Sequence, residues 1–376
     1  MCIFNRIFIV LFVVMLTLPL VFVDLSSDRV SVKENRMLAE RPKLADIKNH
    51  PGKFIRGFDA WFKDSTGFRK QLVALYNIIS KNIWLNGTTY TDGQYTYLAG
   101  EQGHHYFAYL NRMLIPKFQG RQFLSDEQLM GMASKLDEVK TYLDNKGIPL
   151  VVMFCTDKES IYPEYYPRSI KRGPEPIQLD IITSYLQDNT SVDVFNIRQA
   201  LLAEKDEYLL YDVSSGDLTH YNQIGAFFAY RELMKHINIH FSQMIPYELN
   251  DVNITYEESG IPFVSLVEEI VHNKLNAAFL NNNNYLDHVP PQFEVYENME
   301  QELPVILLMG DSYADYKYIR KYIAQHFGKT IFINYNGLNY IQEYITRYKP
   351  NIVVFESAER GLVWFANSVI GIPKLP

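Results

Sequence analysis

Ser312, His220 and Asp217 have the residue types and spacing for attack on an acyl ester. Ser312 ends the triplet Gly310-Asp311-Ser312, which follows the apolar run PVILLM and precedes the helical pattern YADYKYIRKYIAQHF. A serine at the carboxyl end of a parallel strand presents its hydroxyl to the crevice where such sheets hold ligands. Its backbone N–H at a helix N-terminus is then a donor for a developing oxyanion. Taken alone, the triplet describes equally well a serine that caps a helix. Asp217-Leu218-Thr219-His220 changes that balance, because a serine hydroxyl needs a base and the base needs a carboxylate to fix its tautomer. In D-x-x-H at a helix start, the carboxylate reaches the imidazole of the same turn. Asp212 is the fallback partner, separated from the histidine by Ser214-Ser215-Gly216.

The remaining reactive side chains suggest less. His236 and His240 stand four apart on a helical pattern without a third ligand, so a solvated helix end explains them more simply than a metal. His104 and His105 lie in a turn-rich stretch. Cys155 sits in the run VVMFC, where a thiol behaves as a small hydrophobe, and Cys2 lacks the signal sequence of a lipidated cysteine. Neither a metal nor a cofactor is expected.

The elements that must position these residues alternate between strand and helix from Ser125 onward. Ser125 and Gln128 form a capping-box pair opening a helix to about Asn145, closed by Gly147. Strands follow at 148–155 and 191–197, around a helix near 176–188. A long helix begins after His220, and strand–helix alternation resumes at PVILLMG and continues through TIFINYNG and KPNIVVFE. This order predicts an α/β fold with a doubly wound, mainly parallel sheet. Residues 244–303, with NNNN at 281–284 and Pro290-Pro291, read as an insertion or lid. Upstream, Phe54, Phe58, Trp61 and Phe62 recur at helical spacing, a second helix is expected over 70–84, and residues 87–110 suggest hairpins.

Net charge is −7 with no long basic run, which disfavours a nucleic-acid partner. Residues 7–23 are uncharged and apolar, preceded by Arg6 and followed by Asp24. That length is near the minimum for a hydrocarbon core of roughly 30 Å, and no small-residue cleavage site ends it. A retained signal anchor is expected, with Arg6 cytoplasmic and everything beyond Asp24 outside. The domain expectation is therefore an anchor over 1–24, an arm with helices and hairpins over 25–124, and the α/β domain over 125–376.

The order D-x-x-H, then GDS, then INYNG, then KPNIVVFESAERG resembles the SGNH-hydrolase blocks in rotated order. With SVKENRMLAERPKL, DAWFKDSTGFRKQL and CTDKESIYPEYYP, the chain resembles the alginate O-acetyltransferase (AlgX/AlgJ-like, DHHW) group over roughly residues 30–362. The resemblance implies a circularly permuted SGNH-type domain outside a bacterial membrane. It implies O-acetylation of an exported or cell-surface polysaccharide, with acetyl supplied by a membrane-bound O-acyltransferase. It gives Ser312 the role of nucleophile, His220 that of base and Asp217 that of orienting acid. The group reads D-x-H-W where this chain reads D-L-T-H-Y, so Asp217 takes its role only through the ordinary SGNH spacing, and Tyr221 replaces the tryptophan. Gly337, Asn334 and Asn336 are oxyanion candidates beside the Ser312 N–H. Arg360 would bind substrate or pair with Glu359, and Lys158 and Tyr162 match positions the group retains. A carbohydrate acetyl-esterase, with water as acceptor, and a non-catalytic polysaccharide-assembly subunit are the alternatives.

Overall fold

The computed structural model describes residues 12–14, 17, 22–23, 30–31, 36–37, 39–43, 46–49, 51–68, 89–92, 95–108, 114–257, 260–267, 276–278, 293–298, 302–314 and 316–376. The helix expected over 70–84, the residues Cys2, Arg6 and Asp24, and the segment 279–292 lie outside these, as does most of the apolar run 7–23. Among the described residues no helix is long and apolar enough to cross a membrane.

The chain divides into two compact units, Met1–Gly100 with Phe107–Tyr109, and Glu101–Tyr106 with Leu110–Pro376. In the first unit a helix spans Pro51–Ser65, and Phe58 touches Phe54, Trp61 and Phe62 along one side of it. An antiparallel hairpin pairs Thr89–Asp92 with Tyr95–Ala99.

The second unit is an α/β domain. Ser125 caps the helix α1 (Asp126–Asp144) through the reciprocal Ser125–Gln128 bonds, and Gly147 leaves it with φ +69°. Then come strand β1 (Leu150–Cys155), α2 (Gln178–Asn189), β2 (Asp193–Asn196) and α3 (Gln223–His240). Asn222 caps α3 by accepting from the N–H groups of Ile224 and Gly225. Strands β3 (Asn276–Ala278), β4 (Phe293–Glu297), β5 (Val305–Gly310) and β6 (Lys329–Asn334) follow, then α4 (Ile341–Tyr348), β7 (Ile352–Ala358) and α5 (Leu362–Ile370).

The sheet order is β3-β4-β6-β5-β7-β1-β2. The five strands from β6 to β2 are parallel, and β4 and β3 add an antiparallel edge. Part of the stretch read as an insertion is thus sheet, and another part is the antiparallel hairpin Val252–Tyr256 with Pro262–Leu266. Strands as short as β3 carry too few alternations to be legible as a period.

Strand periodicity explains why both faces are covered. Val151, Met153, Ile306, Leu308, Ile352 and Val354 face one core, which α3 fills with Phe227, Tyr230 and Leu233. Leu150, Val152, Leu307, Met309, Val353 and Phe355 face the other, filled by Leu136 of α1, Leu179 of α2, Tyr344 of α4 and Phe365 of α5. Burial on both sides is why these strands read as unbroken apolar runs.

Candidate active site

Residues from three loops at the carboxyl ends of parallel strands, together with the loop before α3, carry the polar groups of the site, the position where open parallel sheets place ligands. Ser312 directly follows β5, Thr156 to Ser160 follow β1, and Glu359 and Arg360 follow β7. The loop before α3 brings Asp212 to His220.

Ser312 is exposed, and its Oγ lies 2.8 Å from His220 Nε2. Nδ1 of the same ring is 3.1 Å from each Asp217 oxygen. With Nδ1–H donating to Asp217, Nε2 is left as the acceptor facing the serine hydroxyl. Asp217 also accepts from the Thr219 hydroxyl at 2.5 Å, the Thr219 N–H at 2.9 Å and the Tyr318 hydroxyl. Burial alone would raise its carboxyl. The bond from His220, that ring's charge and the Thr219 and Tyr318 hydroxyls outweigh burial and hold it well below the usual carboxylate range.

Asp212 does not orient the histidine. It is buried, and its Oδ2 accepts the Asp217 N–H at 2.9 Å, while the chain wraps it so closely that a Cβ on Gly216 would stand 2.1 Å from the same oxygen. Gly216, at φ +82°, is therefore a constrained corner rather than part of a loose run.

The expected α-helix after Ser312 is broken. A single 3₁₀ turn over Ser312–Ala314 is followed by a π-helical turn over Tyr316–Arg320 and then by an α-helix over Lys321–His326. Tyr318, at φ −115° and ψ −115°, interrupts the helical geometry and delivers its hydroxyl to Asp217.

The other expected residues take supporting positions. Arg360 pairs with Asp157. Its Nη1 donates to Asp157 Oδ1 at 2.7 Å, to the Thr219 carbonyl at 2.7 Å and to the Tyr313 hydroxyl at 2.9 Å. One guanidinium nitrogen thus ties the residue before His220 to the residue after Ser312. Glu359 instead accepts from Thr156, from the Asp157 N–H and from Ser160. Beneath them Lys117 Nζ is 2.6 Å from Asp157, 2.9 Å from Glu159 and 3.4 Å from Glu359.

Lys158 is buried and donates to three carbonyls, those of His105 at 2.7 Å, Asp212 at 2.5 Å and Val213 at 3.1 Å. Burial pushes its ammonium down to about 7, against the pull of Asp212 and Glu159. The Tyr162 hydroxyl accepts from the Leu210 N–H, and burial pushes it up to about 12. Tyr221 is fully buried and donates to the Tyr313 carbonyl at 2.6 Å, so it braces the nucleophile loop from inside. Asn334 Oδ1 caps the Asn336 N–H, and Gly337 is buried in the turn they open. His236, expected to be solvated, pairs with Asp193 at 2.9 Å and stacks on Phe195. Among the described residues no cluster of His, Cys, Asp and Glu could hold a metal.

Tyr318, Lys117 and Asp157 were not singled out by sequence, since nothing local marks a tyrosine six residues beyond a serine. Glu356 did carry a signal, as an acid inside the apolar strand β7.

Residues 118–335 match the family described as SGNH hydrolase-like domain, acetyltransferase AlgX. The chain belongs to that family. The matched span includes Asp217, His220 and Ser312, whereas Glu356, Glu359 and Arg360 lie beyond it. The fold is shared with Bacillus cereus PatB1 bearing a sulfonyl adduct, at 14% identity and TM-score 0.52 over 73% of this chain and 97% of that one. It is shared likewise with a DHHW family protein of Eubacterium siraeum, at 12% identity and TM-score 0.51 over 77% and 98%. The O-acetyltransferase domain of Pseudomonas putida AlgJ aligns at 15% identity and TM-score 0.43 over 73% and 98%. No curated protein matches the chain in sequence. The AlgX-family assignment makes this an acetyltransferase-type domain.

Proposed function

We propose that the chain transfers acetyl groups through Ser312 to hydroxyls of a cell-surface or exported polysaccharide. The observation that carries this reading is the continuous hydrogen-bonded series from Asp217 through His220 to the exposed Ser312 hydroxyl. His220 Nε2 takes the Ser312 proton as Oγ attacks the acetyl carbonyl, and returns it to the leaving group as the tetrahedral intermediate collapses. A sugar hydroxyl, deprotonated by the same imidazole, then attacks the acetyl-serine and frees Oγ. The Ser312 N–H is one oxyanion donor. Gly337 N–H, or the side chain of Asn334 or Asn336, is the candidate for a second.

The acetyl donor is a membrane-bound O-acyltransferase, and the apolar run 7–23 anchors the chain with its catalytic unit on the outer side of a bacterial membrane. The AlgX-family match supports transfer. The open position of Ser312 favours a second reading, hydrolysis of a glycan acetyl ester, because water reaches the same atom.

Incubation with an acetyl-ester donor should give wild type an adduct of about 42 Da, one acetyl group on the nucleophile. Ser312→Ala should stay folded, form no adduct and lose several orders of magnitude in turnover. Turnover that survives in Ser312→Ala removes the acyl-serine. Adding candidate oligosaccharides separates the two readings: transfer yields acetylated sugar, and hydrolysis yields only acetate.

A further inference from the structure

Glu356 is a fully buried acid in β7, directly beneath the nucleophile turn. Its Oε2 accepts the Asp311 backbone N–H at 2.9 Å. Gly310 leaves the room this requires, since a Cβ there would stand 2.5 Å from Oε2. Asp311 in turn accepts from the Tyr313 N–H and the Ala358 N–H, both at 2.9 Å. The residues on either side of Ser312 are thus fastened to β7, and Glu356 is the fastening on the upstream side.

The surroundings of Glu356 suit a neutral acid. Asp311 faces it from the turn, Cys155 from β1, Tyr221 from the loop before α3 and Tyr335 from the turn after β6. None of these is a cation, and among the described residues Glu356 forms no ion pair. The polar side chains its carboxyl interacts with, the Cys155 thiol and the Asp311 carboxyl, bring no positive charge, and a neutral acid is far cheaper in such a place than a charged one.

We propose that Glu356 is a positioning residue: as a neutral carboxyl it floors the Gly310-Asp311-Ser312 turn and keeps the Ser312 hydroxyl in line with His220. Burial first, and then the Asp311 carboxylate, push its carboxyl well above the usual range, which agrees with a neutral floor. The proposal rests on the acyl-serine reading for its effect on rate, though not for its effect on stability.

The test compares wild type with Glu356→Gln, which keeps an acceptor for the Asp311 N–H without a charge, and with Glu356→Ala, which keeps neither acceptor nor volume. With an acetyl ester as probe, Glu356→Ala should lose about 10²-fold in kcat with KM little changed, the scale of a misplaced reacting atom. Glu356→Gln should restore most of that loss. A Gln variant as impaired as Ala overturns the proposal, as does an Ala variant at wild-type rate.

Thermal stability against pH reads the same residue without turnover. A folded state that keeps a proton which the unfolded chain releases above about pH 4.3 loses stability as pH rises. The Gln variant has no such proton, so its Tm advantage over wild type should grow between pH 4 and 8. A flat or shrinking difference overturns the neutral floor. Turnover persisting in Ser312→Ala would sink the acyl-serine instead, and would leave this stability comparison decisive for Glu356.

Discussion

Asp217 collects donors from three side chains, those of His220, Thr219 and Tyr318, so its carboxylate is fixed in place before any substrate binds. Losing it should act on the chemistry: Asp217→Asn is expected to lower kcat about 10⁴-fold, the loss seen when a triad histidine adopts the wrong tautomer. Asp212→Ala should act on stability instead, at about 1–3 kcal/mol, because it leaves the Asp217 N–H without its acceptor. Steady-state kinetics and thermal melts on both variants check this split, and a larger kcat loss in Asp212→Ala would reverse the roles. The depressed folded value of Asp217 also fixes a pH dependence. The stability it contributes is complete above its unfolded value near pH 4 and drains away as pH falls through the lower folded one. The advantage of wild type over Asp217→Asn should therefore shrink on acidification. The pairing of Asp217 with His220 was legible because D-x-x-H is a local spacing. Tyr318 was not, because its approach depends on a broken helix that an apolar period does not report.

Among elements, the junction of β1 and β7 is held by charge. Lys117 meets Asp157, Glu159 and Glu359 in a buried cluster, and Arg360 continues it upward to Tyr313 and Thr219. Removing one partner of such a cluster strands the others, so Lys117→Met should cost about 3–5 kcal/mol, measured as a lower urea midpoint. Activity per folded molecule should fall with it, since Asp157 is the anchor through which Arg360 spans the two loops. A neutral substitution would show that the acids are protonated or hydrated rather than paired. The capped helix α1 and the apolar cores of β1, β5 and β7 were legible, because caps and two-sided burial leave marks in sequence. The supporting charges were not. A lysine forty residues from its aspartate in sequence has no spacing to betray it.

At the scale of the molecule, every residue assigned to the site belongs to the second compact unit. The proposed orientation places that whole unit outside the membrane. Protease added to intact spheroplasts expressing the chain should then digest it, and a protected full-length band would reverse the orientation. The parallel sheet was readable from strand–helix alternation, and the family from its motifs. The edge strands β3 and β4 were hidden in a stretch whose Asn and Pro content suggested only loop.

Lys158 grips the loop that carries His220 through carbonyl oxygens alone, those of Asp212 and Val213, with a third from His105. A carbonyl offers the same lone pairs whatever side chain its residue bears. The side chain of Val213 can therefore be exchanged without loosening the hold of Lys158 on the loop that carries His220. The constraint falls instead on Lys158 and on the glycine corner at 216, where a Cβ would collide with Asp212, so the loop is held by its backbone rather than by the identity of its side chains.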